Sequence, residues 1–398
     1  MTHNEAYKIC LDKTRLHMDK LKGRLFEPIG VADGDYYGDY NKMDFVEFRW
    51  AWLTSMITGM GSIAFETEKD IDFLKWLNSF KEQYRKKVFA PYTQTMHDIG
   101  FLYLPYSAHL YELTGDLCHR DTAIKAADEL CKRFNFNGRF IEAWDEMNIP
   151  VTEGRMIIDT AMNVPLLFWA WKETGHYFYY NIAVSHLETA IKTLVREDYS
   201  VAHAWFFNSE TGEPKMEINS CGYDNGSHWA RGTAWLVFGL AIAYDYTGRK
   251  DLLEIAEKVL NKYLQETTNN PVPVWDFRLP EDEPARGGWS RTESYTPQWD
   301  ESCPENKKYN VDTSAAAIMS CACMLMDSIA PNAKAREYAD NALTALCNEY
   351  VDCDMSKTGI LTHTDGKNIY STFGDYYFML ALAMKLYGVK GCWGKSKN

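Results

Sequence analysis

A three-part phrase recurs along this chain and limits what it can fold into: an almost wholly apolar helix, a Thr-Gly pair, then an amphipathic helix. ELTGD centres on Gly115, KETGH on Gly175 and DYTGR on Gly248, 60 and 73 residues apart, the length of a helical hairpin plus long loops. The helix before each glycine, as in MNVPLLFWAW, lacks a polar face and must be covered all round. The helix after it, as in LLEIAEKVLNKYL, has one. Glycine is placed to end the first helix. Periodicity is helical from end to end, with only short strand candidates. Buried helices alternating with amphipathic ones fit an inner ring wrapped by an outer ring, an all-α toroid, better than a bundle, which needs no wholly apolar helices. With no linker or composition break, residues 1–398 read as a single domain. The one long stretch without periodicity, 271–310, is rich in Pro, Gly and charge. It reads as an excursion over the mouth or a surface insertion.

Counted back from each Thr-Gly, the inner helices start at polar residues: His97-Asp98, Asp159, and near Arg231, with later starts near Asp312 and Asp375. In a toroid such starts converge on one mouth, so Asp98, Asp159 and Arg231 are expected to face one cleft. An Asp at a helix head is an ordinary N-cap. Capping does not account for an Arg there, where the macrodipole disfavours it. The segments around the same helix starts carry Trp52, Trp144, His203, Trp229 and Trp235. One such Trp is more often packing than ligand contact. Several at one mouth favour a carbohydrate cleft, because aromatic rings stack on sugar faces.

A net charge of −13 argues against nucleic acid or an anionic membrane as partner. No apolar run reaches the length of a membrane span. The first 24 residues form an amphipathic helix pattern rather than a signal peptide. The ten cysteines have no zinc-site spacing and read as reduced core residues. The expectation is a cytoplasmic protein, periplasmic only if a leader has been removed, monomeric or homodimeric. No metal cluster or phosphate-binding glycine loop is visible, so neither metal nor cofactor is expected.

At these positions the chain resembles the unsaturated glucuronyl hydrolases of glycoside hydrolase family 88. Blocks beginning at His97 (HDIGFLYLPYSAHLYELTGD), Gly154 (GRMIIDTAMNVPLLFWAWKETG), Gly226 (GSHWARGTAWLVFGLAIAYDYTG), Asp312 (DTSAAAI) and Phe373 (FGDYYF) follow in the family's order. The resemblance implies an (α/α)6 barrel. It also implies an enzyme that removes a 4,5-unsaturated uronic acid from the non-reducing end of oligosaccharides left by polysaccharide lyases. By the same resemblance Asp159 matches the general acid/base and Asp98 the second essential carboxylate, with His97 beside it. Trp52, Trp144, His203, Arg231 and Trp235 match positions lining the sugar site, and Trp229 stands beside Arg231. Two positions depart from the pattern: Met56 where many members carry Phe, and Cys221 where many carry Gln. Both bear on linkage and leaving group rather than on the reaction class.

The implied reaction is hydration of a vinyl ether: proton to C4, oxocarbenium-like charge at C5, addition of water there, and collapse of the hemiketal. One carboxyl must be acidic at the start and basic afterwards. A helix N-terminus lowers the pKa of Asp159, so an ionised Asp98 nearby and an aromatic wall around Trp144 are expected to oppose that. Arg231 or His203 is the expected partner of the substrate carboxylate. For a sulfate on the adjacent sugar, Thr362, Thr364 and Lys367 are the candidate lining, opposed by Asp365. The rivals are an unsaturated rhamnogalacturonyl hydrolase of the same barrel, an epimerase using paired histidines, and a non-catalytic helical scaffold. The first is disfavoured by the His97-Asp98 pair and the second by the mainly carboxylate helix heads. The third leaves the converging Asp, Arg and Trp residues unexplained.

Overall fold

The computed structural model describes residues 1–38, 43–89, 96–144, 154–223, 225–267, 270–278 and 311–395. Its helices are α1 (His3–Lys20), α2 (Thr54–Glu68), α3 (Ile71–Asn78), α4 (Lys81–Phe89), α5 (Ile99–Tyr103), α6 (His109–Thr114), α7 (Leu117–Cys131), α8 (Pro165–Thr174), α9 (Tyr177–Leu194), α10 (Ala230–Thr247), α11 (Lys250–Thr267), α12 (Thr313–Ile329), α13 (Ala333–Glu349) and α14 (Thr372–Tyr387). Six inner members (α2, α5–α6, α8, α10, α12 and α14) pack each against the next, and α14 closes onto α2. The outer layer is α1, α3–α4, α7, α9, α11 and α13. This is the (α/α)6 barrel. Every residue of α12 from Thr313 to Cys323, and of α14 from Thr372 to Ala383, is buried. Outer α11 buries only Leu252, Leu253, Ala256, Val259, Leu260, Tyr263 and Thr267, the stripe of an amphipathic helix.

The Thr-Gly phrase does the same physical job three times. The hydroxyls of Thr114, Thr174 and Thr247 donate to the carbonyl four residues back and accept the N–H two residues on, at 3.2 Å in each case. The glycine that follows each sits at φ of 71–74° and donates to the helix's last open carbonyl. A Cβ at these glycines would meet nothing within 4 Å, so glycine is there for the left-handed backbone and not for space.

The expected start at Asp98 holds, but that helix is not continuous, and two other starts need correction. The helix from Asp98 to Gly115 is interrupted by a π turn at Leu104–Ala108, because Pro105 has no N–H for the helical ladder. Asp159 does not head an α-helix. It lies in a 3₁₀ turn, Ile158–Met162, and α8 starts only at Pro165, which is tolerated at a first helical position. Asp375 lies inside the first turn of α14, whose N-cap is Ser371. Its buried carboxylate accepts the Leu361 N–H and the Tyr36 hydroxyl, so it ties α14 to its neighbours. Of the excursion expected at 271–310, residues 279–310 lie outside the described residues. The described cysteines are all unpaired, and no helix among the described residues is long and apolar enough to cross a membrane.

One close contact fixes the register of the barrel mouth. Gly100, two residues past Asp98, packs so tightly on Asn163 that an added Cβ would run into that residue's Cα and carbonyl oxygen. Both are backbone atoms and cannot swing aside. Gly100→Ala is expected to destabilise the fold by about 1–3 kcal/mol and to cost more activity than that loss explains, because it pushes Asn163 off Asp98. Denaturant unfolding and turnover measured together test this; a variant with ordinary stability and activity refutes it.

Candidate active site

The starts of the inner helices surround a cavity of about 500 Å3 lined by Asp98, Asp159, Arg231, Trp52, Trp144 and His203, among others. Asp98 occupies the N-cap position of α5 without making a capping bond. Its Oδ1 accepts instead from the Asn163 amide at 3.0 Å. The same amide reaches the Asp159 carbonyl at 3.2 Å, and the Asn163 Oδ1 accepts the Phe101 N–H at 3.0 Å. Asn163 thus links both carboxyl-bearing turns, a role without a sequence signal beyond its position four residues after Asp159. The Oδ2 of Asp159 is buried and has no hydrogen-bond partner among the described residues.

Each carboxyl faces a buried histidine. The Trp144 N–H donates to His97 Nδ1 at 3.0 Å, and the Ser220 N–H donates to His203 Nδ1 at 3.1 Å. An Nδ1 that accepts is unprotonated, so the neutral ring carries its proton on Nε2. His97 Nε2 then points at Asp98 Oδ1 from 3.2 Å, and His203 Nε2 at Asp159 Oδ2 from 3.8 Å. Burial keeps both rings neutral, lowering His97 well below the usual range and His203 to about 3.

Burial pushes Asp159 up to about 6 against the opposing field of Arg231. The expected lowering by a helix dipole is outweighed, because the side chain sits in a short turn ahead of the helix and caps nothing. Burial also raises Asp98 well above the usual carboxylate range, the charge of Asp159 adding to it and the Asn163 amide opposing. Burial therefore favours the expected protonated Asp159 and works against the expected ionised Asp98.

Arg231 stands at the start of α10 between the rings of Trp229 (4.6 Å) and Phe373 (4.8 Å). Its guanidinium donates to Asp312 Oδ2 at 3.0 Å and pairs with Asp365 Oδ1 at 2.7 Å. These two carboxylates account for an arginine at a helix start. They also mean that Arg231 is already committed; with His203 kept uncharged by burial, neither is a ready partner for a substrate carboxylate. A second arginine lines the cavity. Arg155, in the strand Arg155–Ile157, stacks on Trp144 at 4.4 Å and on Phe206 at 5.0 Å. It is missing from the residues expected on sequence grounds, and its only signal there is its place four residues before Asp159.

Trp52 lies against Phe373 with centroids 5.5 Å apart and planes 22° apart, and its N–H donates to buried Glu27. Trp144 holds a left-handed backbone, φ 57°, a strained conformation for a bulky residue. It is kept there by its N–H on His97 and its carbonyl on Arg133. Trp229 and Cys221 line the cavity, the Cys221 thiol pushed up by burial. Three expected lining residues do not line it. Trp235 is packed below it against Phe101 and Tyr377, Met56 is fully buried in α2, and His97 is buried behind Asp98. Each lies inside the barrel wall rather than at its rim. The Thr362, Thr364 and Lys367 set is absent from the lining as well. The two hydroxyls donate to the Tyr350 and Ile369 carbonyls, and Asp365 is held by Arg231. No group of three or more metal-binding side chains occurs among the described residues.

Known proteins share this sequence pattern and this barrel. Residues 33–276 match the pattern of glycosyl hydrolase family 88. A protein of Streptococcus pyogenes serotype M1, named unsaturated chondroitin disaccharide hydrolase, is 30% identical over 392 residues, 95% of this chain and 90% of its own length. The unsaturated glucuronyl hydrolase of Bacillus sp. strain GL1 is 32% identical over 310 residues, 75% of this chain and 76% of its own. A crystal structure of unsaturated glucuronyl hydrolase from Bacillus sp. GL1, described as responsible for glycosaminoglycan degradation, superposes with a TM-score of 0.84 at 26% identity, each chain covered fully.

Proposed function

The chain belongs to glycosyl hydrolase family 88, and on that premise we propose that it removes a 4,5-unsaturated uronic acid from glycosaminoglycan-type oligosaccharides by hydrating the C4=C5 vinyl ether. The observation that carries the reading is a buried carboxyl and a half-buried one in an aromatic cavity, the second with a buried oxygen that nothing among the described residues satisfies. A site made only for stability would satisfy that oxygen.

Asp159 is the acid and then the base. Its carboxyl gives a proton to C4, the C4=C5 electrons form the new C–H bond, and positive charge develops at C5 and its ring oxygen. The carboxylate left behind takes a proton from water as the water oxygen bonds to C5, which restores the acid. The hemiketal opens and the anomeric carbon releases the second saccharide, one water being consumed overall. A group near 6 can work in both directions at neutral pH. Asp98, raised well above the usual carboxylate range by burial, is less suited to that cycle. It holds sugar hydroxyls, oriented by Asn163 and His97. The Nε2–H of His203 faces the Asp159 oxygen on which negative charge appears after the first step. Trp52 and Trp144 offer ring faces to the sugar. Arg155, in the cavity lining with its guanidinium stacked on Trp144, is the proposed contact of the substrate carboxylate.

The test follows the ultraviolet absorbance of the C4=C5 bond in unsaturated chondroitin, heparin and pectin-derived disaccharides. Loss of absorbance with the first two supports the reading, and loss only with pectin-derived fragments moves the enzyme to the rhamnogalacturonyl rival. The pH profile is a second prediction. Asp159 must be protonated in the free enzyme, so kcat/KM is expected to be level in acid and to fall above about pH 6, where that proton is lost. A profile that rises through pH 6 makes the first step base-catalysed and sinks the mechanism.

A further inference from the structure

The lower part of the cavity holds the carboxyls; its outer part is walled by Ile29, Met43, Phe48 and Trp50, which the chemistry above does not use. Ile29 is 39% exposed and Trp50 42% exposed. Large apolar side chains left open beside a cavity are the usual mark of a contact surface. Phe48 meets the Trp50 ring edge-on with centroids 5.7 Å apart, and the Arg49 guanidinium lies over that ring at 5.6 Å.

The wall is fixed in place. Strands Phe26–Glu27 and Met43–Asp44 pair antiparallel beneath it. Lys87, fully buried, donates to the carbonyls of Phe45 and Phe48 at 2.9 Å each. Glu27, also buried, accepts the N–H groups of Trp52 and Leu53 at 2.8 Å each. Burying two ionisable side chains is costly. Here both are used to hold the backbone that carries the aromatic residues.

We infer that this wall seats the leaving saccharide, and that it selects an uncharged second sugar, stacked by its apolar face on Trp50, over a sulfated one. The inference rests on the proposed reaction and adds the class of leaving group to it. The wall belongs to the same cavity as Asp98 and Asp159, so a ring linked to a uronide held there is carried against it. An apolar surface repays a sugar's C–H face and gives nothing for desolvating a sulfate. The arginines in the described lining, Arg155 and Arg231, lie by His203, whose protonation both oppose.

The test compares three probes: an unsaturated glucuronyl–N-acetylhexosamine disaccharide, its 6-sulfated form, and the methyl glycoside of the same unsaturated uronic acid. In the unsubstituted enzyme the unsulfated disaccharide is expected to exceed the sulfated one in kcat/KM by about tenfold. Trp50→Ala, a change at a half-open side chain, is expected to lower kcat/KM for the disaccharide about tenfold more than for the methyl glycoside, the loss of one stacked ring. Equal losses on the two would place Trp50 with the uronic acid or with folding alone and overturn the inference, as would a preference for the sulfated probe. Binding of the unsulfated disaccharide to Asp159→Asn, with and without Trp50→Ala, needs no turnover. A tenfold weaker affinity in the double variant supports the wall even if the reaction has been misassigned. Unchanged affinity, or no binding by either, rejects it.

Discussion

Asp159→Asn is expected to reduce kcat by about 10⁴-fold, the upper range for loss of a positioned proton donor and acceptor, while the substrate still binds. The amide keeps the shape of the carboxyl but can neither protonate C4 nor deprotonate water. The same change is expected to make the protein more stable in alkali. A carboxyl raised from 3.8 to about 6 by burial favours the folded state when protonated. That advantage is complete below the ordinary carboxylate range and is lost as pH rises through about 6. A rise of that size corresponds to about 3 kcal/mol, which the Asn variant does not lose. Turnover, ligand affinity and thermal unfolding at pH 8 check the three parts. An inactive variant that is also less stable at pH 8 would mean that Asp159 holds the fold together, and an active one would remove it from the chemistry.

Arg231→Met is expected to destabilise the fold by about 3–5 kcal/mol, the cost of leaving a buried carboxylate without its partner. Asp312 is fully buried and already raised by burial, with the Arg231 charge holding it down. Asp365 shares the guanidinium and donates its own N–H to Asp312 at 3.1 Å. Without Arg231 two like charges face each other inside the mouth of the barrel. Asp312 then rises further, so the deficit is largest at neutral pH and shrinks as pH falls toward the ordinary carboxylate range, where protonation removes the repulsion. Denaturant unfolding between pH 4 and 8 measures it. A deficit that does not change with pH would mean the loss comes from the packing of the arginine between Trp229 and Phe373. A second variant, Asp365→Asn, is expected to be milder, since Asp312 still balances the charge.

Several features are legible in the sequence because they are local. The Thr-Gly phrase encodes hydrogen bonds within a few residues of itself, so its three occurrences mark three helix ends. An apolar helix without a polar face has no stable place except inside, which sets the inner ring. The positions of Asp98 and Arg231 at the heads of such helices, and of Asp159 in the turn just ahead of one, then place them at a common mouth.

What the tertiary structure alone decided depends on atoms far apart in sequence. Arg231 looks available in the sequence because Asp312 and Asp365, 81 and 134 residues later, show no local tie to it. Asp98 looks ionised there because the sequence does not show the depth of its burial, and burial raises a carboxyl out of its usual range. Trp235 shares a helix with Arg231 at the rim, and Met56 lies just past Trp52, yet their side chains pack inside the wall. Arg155, Glu27 and the Phe48–Trp50 wall gained their places only through strand pairing and the anchoring of Lys87. Periodicity reports which face of a segment is buried; it carries no information about what that face meets.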